Sequence, residues 1–149
     1  MDKKRLNIAL LVSEFEDGYT RSLCEGAVSA AKELDANLFI FPGRYLEAQN
    51  YELYRTKYDY HFNSLFSYAT ASEYDAILIS MGTIAGNVDL ETKIEFLRQF
   101  KGDNIITISA KIEGYPSVCF DNSSGFYKGI SHLIEAHKCR RIGFVSGAM

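Results

Sequence analysis

Cysteine is sparse and unpaired in this chain. Cys24, Cys119 and Cys139 show no C-x-x-C spacing and are odd in number, so they read as small buried hydrophobes in a reducing compartment. Long apolar runs are missing as well. None approaches the roughly 20 residues that a membrane helix needs. The charged start Met1-Asp2-Lys3-Lys4-Arg5 is like the opening of a secretion signal, but Glu14, Glu16 and Asp17 break the stretch that follows. It therefore reads as a mature cytoplasmic start. Charge of one sign is also in short supply. Sixteen Lys+Arg stand against 19 Asp+Glu, a net charge of −3, which argues against a broad nucleic-acid or membrane surface. There is no internal repeat and no Ser/Gly/Pro linker. What is present is a 149-residue chain, 47% hydrophobic and 23% charged, which suits one globular domain with its own core and excludes a disordered tail.

Short apolar runs alternate with segments of helical period. Leu6 to Val12 reads as a buried strand, Asp17 to Leu34 as a helix with Asp17 at its N-cap, and Leu38 to Phe41 as a second strand stopped by Pro42-Gly43. Gly43 to Tyr54 reads as a Tyr-rich loop. Tyr58 to Ala69 reads as a helix presenting Tyr58, Phe62, Leu65, Phe66 and Ala69 on one face. Ala76 to Ile79 is a third strand, and Asp89 caps a helix reaching Phe100 with Ile94 and Leu97 inward. Strands are expected at Ile105–Ile108, Val118–Phe120 and Arg141–Val145, with a helix over 122–136 showing Phe126, Ile130, Leu133 and Ile134. The strands do not alternate apolar with polar residues. Strands of that kind are buried on both faces, which predicts an α/β fold with a parallel sheet between helices. Ligands then bind beyond the carboxyl ends of the strands, in the loops 13–20, 80–88, 109–115 and 121–125.

The first of these loops, Ser13-Glu14-Phe15-Glu16-Asp17-Gly18-Tyr19-Thr20, carries three carboxylates and one glycine where a dinucleotide fold places G-x-G-x-x-G. Phosphate is repelled there. Carboxylates beside an aromatic suit a hydroxyl-rich or cationic small molecule: Asp17 accepts hydrogen bonds from hydroxyls and Tyr19 offers a ring face. The plainer alternative is that Asp17 only caps its helix and Tyr19 only packs. A phosphoacceptor receiver needs an aspartate after the third strand, and Ser80-Met81 stands there instead. Gly82-Thr83-Ile84-Ala85-Gly86-Asn87 lacks the Lys and Ser/Thr of a P-loop, although Ser80 and Asn87 can point polar groups at a cleft. Lys111 reads as a solvated surface lysine. His132 and His137 are five residues apart, about 140° around a helix, which sets them on different faces and argues against a shared metal. His137 reads instead as a helix-end histidine near the last carbonyls. No G-x-S-x-G elbow exists, and neither Cys24 nor Cys119 has a local His partner, so no catalytic residue, metal or cofactor is expected.

The segments Ile8 to Tyr19 followed by Gly26-Ala27, Tyr74 to Ser80, and Pro116-Ser117-Val118-Cys119-Phe120-Asp121-Asn122 with Gly125 and His132 to Gly147 line up with one known pattern. The last run is similar to "P-S-V-x-x-D-N … H-L-I-x-x-G-H-x-x-I-x-F-I-x-G", with Ala136 in place of the usual glycine. The chain resembles the ligand-binding core of LacI-type regulators, relatives of the periplasmic sugar-binding proteins. That resemblance implies two α/β lobes that clasp a ligand, with Asp17, Tyr19, Ser80 and Asp121 at ligand-facing positions. It departs from the family at Asp17-Gly18-Tyr19, where Asn-Pro-Phe is usual, so the ligand's identity does not carry over. By the same resemblance, residues 6–137 form the N-terminal lobe, and residues 138–149 form the crossover and first strand of a truncated second lobe.

The function expected on these grounds is a cytoplasmic ligand-sensing domain that binds a small polar metabolite, such as a sugar, by lobe closure. It would pair as a homodimer and act, without catalysis of its own, on an output module outside this chain. That module would bind DNA or signal as a diguanylate cyclase or histidine kinase. The alternative is a flavodoxin-like domain of an enzyme that binds a nucleotide or flavin. A third reading is a self-association module.

Overall fold

A computed structural model describes residues 4–46, 58–70, 74–100 and 104–145. Part of the expected Tyr-rich loop, residues 47–54, lies outside them. Contacts divide the chain into two compact units, Met1–Cys119 and Phe120–Met149. The second takes in the helix that follows Asp121, whereas the lobe boundary implied by the resemblance comes after residue 137.

The first unit is an α/β sandwich built on β1 (Asn7–Val12), β2 (Asn37–Pro42), β3 (Ala76–Ile79), β4 (Ile105–Ile108) and β5 (Ser117–Val118). The five strands form one sheet in the order β2-β1-β3-β4-β5, every neighbouring pair parallel. This is the flavodoxin-like strand order. β1 lies inside the sheet, and Ala9, Leu10, Leu11 and Val12 are wholly buried. Its side chains alternate between two cores, as the pleat requires. Ala9 and Leu11 pack with Ile77, Ile79, Phe66, Phe96 and Leu97 on one face. Leu10 and Val12 pack with Cys24 and Ile108 on the other. Both faces of β1 are covered, which is why its sequence shows an unbroken apolar run. Pro42 ends β2, an edge strand, where its missing N–H removes no interior ladder bond.

Helix α1 (Gly18–Glu33) covers the second face, turning Cys24 and Ala31 inward, with Leu23 and Ala27 against the core. The chain leaves it through Asp35, which takes a left-handed φ of 51°. Aspartate is one of the few non-glycine residues that visit this region readily. The opposite face is covered by α3 (Leu90–Leu97) and by a helix at Asp59–Thr70. Asp89 caps α3, accepting the Thr92 N–H at 2.8 Å. Phe96 joins Phe66 and Phe100 in edge-on ring contacts at 5.7 and 5.2 Å.

Asp59–Thr70 is wound as a 3-10 helix, not the α-helix its apolar spacing predicts. The hydroxyls of Ser64, Ser67 and Thr70 each donate to the carbonyl three residues back, at 2.6–2.7 Å. These bonds reinforce a turn of three residues. The change of period changes the buried face. Phe66 and Ala69, three apart, are buried, while Tyr58 and Phe62, which belonged to the expected α-helical face, are 67% and 49% exposed.

Within residues 80–88, read from sequence as a connecting loop, Met81–Ile84 forms a short helical turn, α2. Met81 and Ile84 are buried in the first core, which explains why this connection is so apolar. β5 begins and ends earlier than the expected 118–120.

The second unit contains α4 (Asn122–Glu135), capped by Asp121 through the Ser124 N–H at 3.0 Å. Its apolar residues Phe126, Leu133 and Ile134 remain exposed, and Phe126 meets Phe144 edge-on at 5.1 Å. The strand expected at Arg141–Val145 does not form. A strand exists only with a partner for its backbone groups, and all the ladders described are among β1 to β5.

Truncation in the two-faced core carries the largest stability cost. Leu11→Ala is expected to lower stability by about 2–5 kcal/mol, against a change within about 0.5 kcal/mol for the exposed Glu25→Ala. Urea unfolding midpoints of the two variants and the unaltered chain measure the difference.

Candidate functional site

Because every strand runs the same way, the segments following β1, β2, β3 and β4 all leave the sheet at its carboxyl edge. Side chains then tie these segments to one another. The Tyr45 hydroxyl, after β2, donates to a Glu14 carboxylate oxygen after β1 at 3.0 Å. The Tyr19 hydroxyl at the start of α1 lies 2.7 Å from the Ser109 hydroxyl after β4. The backbone is joined too: the Gly43 N–H donates to the Val12 carbonyl at 2.9 Å and the Ser80 N–H to the Leu11 carbonyl at 3.0 Å.

Arg44 sits among the carboxylates of the first loop. Its guanidinium is 3.9 Å from Glu14 and 3.6 Å from Glu16, and it lies over the Phe62 ring at 4.8 Å. A cation between two carboxylates and an aromatic face is favourable on both counts. Asn63 holds the same residue from below, its side-chain oxygen accepting the Arg44 N–H at 2.6 Å. Burial raises the Tyr45 pKa to about 12, and its hydrogen bond to Glu14 and the nearby negative charge add to the effect. Tyr45 is thus a neutral donor throughout the physiological range.

The sequence-predicted residues divide between the two units. In the first, Asp17 accepts the Thr20 N–H at 2.7 Å and so caps α1. Partial desolvation opposes ionisation of its carboxyl, but the hydrogen bonds from Thr20 and the Tyr19 N–H outweigh it and hold the pKa below the ordinary value of 3.8. Tyr19 is half-buried and bound to Ser109. Ser80 is wholly buried, and its hydroxyl receives the Thr83 hydroxyl at 2.9 Å. Asp121 belongs to the second unit, is exposed, and caps α4. Hydrogen bonding from Ser124, through the backbone N–H first, lowers its pKa. Each of these residues has a structural task. That task leaves the Asp17 and Asp121 carboxylates with further lone pairs for a ligand.

Arg44 and Tyr45 lie outside the loops expected from sequence to bind ligand, and Ser109 opens the expected loop 109–115 without having been singled out. Ser109 adopts a left-handed φ of 60°, a conformation that costs of order 1–3 kcal/mol outside glycine and concentrates at functional sites. It also explains Gly82: a Cβ there would lie 2.6 Å from the Ser109 Cβ and 2.9 Å from its carbonyl oxygen, so α2 approaches β4 this closely only through a glycine. Beneath the loops, the Ser13 and Thr20 hydroxyls are buried with no hydrogen-bond partner among the described residues.

The edge suits hydroxyl and ammonium groups. Among the described residues Glu14, Glu16, Asp17, Tyr19, Tyr45 and Ser109 supply acceptors and donors, while Arg44 is engaged with Glu14 and Glu16. Among the described residues no group of three or more His, Cys, Asp or Glu side chains is arranged to hold a metal ion. Nor is any described helix long and apolar enough to cross a membrane.

Removing the α1 cap tests the local reading. Asp17→Ala is expected to destabilise by about 1 kcal/mol at neutral pH. The depressed folded-state pKa makes that contribution complete above the ordinary value of 3.8 and lost as pH falls through the lower folded value. The gap in urea midpoint between variant and unaltered chain therefore closes in acid.

Comparison with known proteins gives no match to a family model, to a curated protein or to a solved structure.

Proposed function

We propose that this chain is a ligand-sensing lobe that binds a small polar metabolite at the carboxyl edge of its sheet. The observation that carries the reading is the makeup of that edge: an all-parallel sheet delivers Glu14, Glu16, Asp17, Tyr19, Tyr45, Ser80 and Ser109 to one side, where a nucleotide fold carries a glycine-rich phosphate loop. Hydroxyl-rich or ammonium-bearing molecules match these groups. Phosphorylated cofactors meet like charge.

The resemblance to LacI-type binding cores supplies the rest of the proposal. A second lobe closes over the ligand, closure is favoured only when ligand bridges the lobes, and the change reaches an output module that controls transcription or signalling. In this scheme the protein is cytoplasmic and homodimeric, and the lobe itself performs no covalent chemistry. Asp17 and Tyr19 contribute the first unit's contacts, and Ser80, wholly buried with its hydroxyl held by Thr83, fixes the loop after β3.

A lobe that supplies part of the contacts binds weakly alone. Monosaccharides, polyols and polyamines titrated into the 149-residue chain are expected to bind with Kd of about 1 mM, or roughly −4 kcal/mol. Amide shifts around Asp17, Tyr19 and Ser80 report the site. Tyr19→Ala is expected to weaken that binding several-fold without unfolding the chain. Flavin mononucleotide or ATP shifting the same amides at micromolar concentration would favour the flavodoxin-like enzyme instead, and the sensor reading would fall.

A further inference from the structure

We propose that His132 and His137 form a two-imidazole site for a divalent transition-metal ion at the C-terminal end of α4. This site lies within the second unit and does not depend on the sensor reading. From sequence the two histidines fall on different faces of a helix, but the helix does not continue through both. α4 ends at Glu135, and Ala136 is its C-cap, donating its N–H to the His132 carbonyl at 2.9 Å. Lys138 then takes a left-handed φ of 55°, and the Cys139 N–H turns back to the Leu133 carbonyl at 3.0 Å. This reversal carries His137 over the last helical turn. The two Nε2 atoms come to 3.1 Å, with ring centroids 4.8 Å apart and ring planes at 78°.

That separation is the bite of a chelate. With metal–nitrogen bonds of about 2.0–2.1 Å, two nitrogens lie about 3.3–3.4 Å apart at a tetrahedral centre and about 2.9 Å apart at a right angle. The observed 3.1 Å falls between these limits. One ion at that bite reaches both nitrogens once each ring turns its Nε2 lone pair toward it. Two ring nitrogens this close form a hydrogen bond in which one donates and the other accepts. For both Nε2 atoms to hold an ion, the proton of that bond moves to the Nδ1 of its own ring, which leaves each Nε2 a lone pair to donate. Both rings are exposed, so the ion has an open approach and keeps water in its remaining positions. The last carbonyls of α4 favour a cation at this end. Lys138, Arg140 and Arg141 oppose it, but all three are exposed and screened by solvent. Imidazole donors select nickel, copper and zinc over magnesium or calcium.

Nickel chloride titrated calorimetrically into the reduced 149-residue chain, free of any added histidine tag, tests the site. One ion is expected per chain. His132→Gln and His137→Gln, which keep a polar side chain on an exposed surface, are each expected to weaken binding on the order of a hundredfold, since one imidazole loses the advantage of the chelate. Cys139→Ser and His61→Ala are expected to leave it unchanged, and unaltered far-ultraviolet circular dichroism shows the glutamine variants to be folded. Equal affinity in those variants, loss of binding in Cys139→Ser alone, or no binding to the unaltered chain would each overturn the proposal.

Discussion

Burial of β1 on both faces is the constraint from which the rest of the first unit follows. A strand with apolar side chains on each side must lie inside a sheet covered twice. Sequential strands joined by helical crossovers satisfy this only when they run parallel. Here β2 lies on one flank of β1 and β3 on the other, and the sheet extends through β4 to β5. The strand order reverses direction at β1, which makes its carboxyl end the switch point where ligands bind in sheets of this kind. The acidic loop 14–17 sits at that point because it follows β1 directly.

Most of the polar side chains at this edge also hold the edge together. Asp17 caps α1, Tyr19 reaches Ser109, Tyr45 reaches Glu14, and Arg44 links Glu14 and Glu16 beside Phe62. A ligand arriving here competes with internal bonds or adds to them. The strained φ of Ser109 and the close approach at Gly82 show how tightly the β3 and β4 connections are fitted together. Loops fixed in this way from several strands present their donors and acceptors in a set arrangement, which lowers the ordering cost of binding.

The second unit has a different character. α4 keeps Phe126, Leu133 and Ile134 exposed, and the described residues after it make a ring contact through Phe144 but no strand. Its apolar period is that of a helix meant to pack, and within the described residues of this unit Phe126 meets Phe144 edge-on. What the unit does order well is the end of α4, where the left-handed turn at Lys138 and the bond from Cys139 to Leu133 set the two histidines together.

Local patterns determined a good deal of this protein. The strands at Ala76–Ile79 and Ile105–Ile108, the caps at Asp17 and Asp89, and the parallel α/β class were all legible in the sequence. Double-faced strands and N-caps are set by residues close together in the chain. Other features were decided only by tertiary structure. Arg44, Tyr45 and Ser109 joined the site because neighbouring strands deliver distant loops to one edge. The 3-10 winding of Asp59–Thr70 turned Phe66 inward and left Phe62 free to meet Arg44. The reversal after Glu135 brought together two histidines that helical geometry alone keeps apart. In each case the deciding contact joins groups whose relative position depends on how the chain turns between them, and no short-range periodicity carries that information.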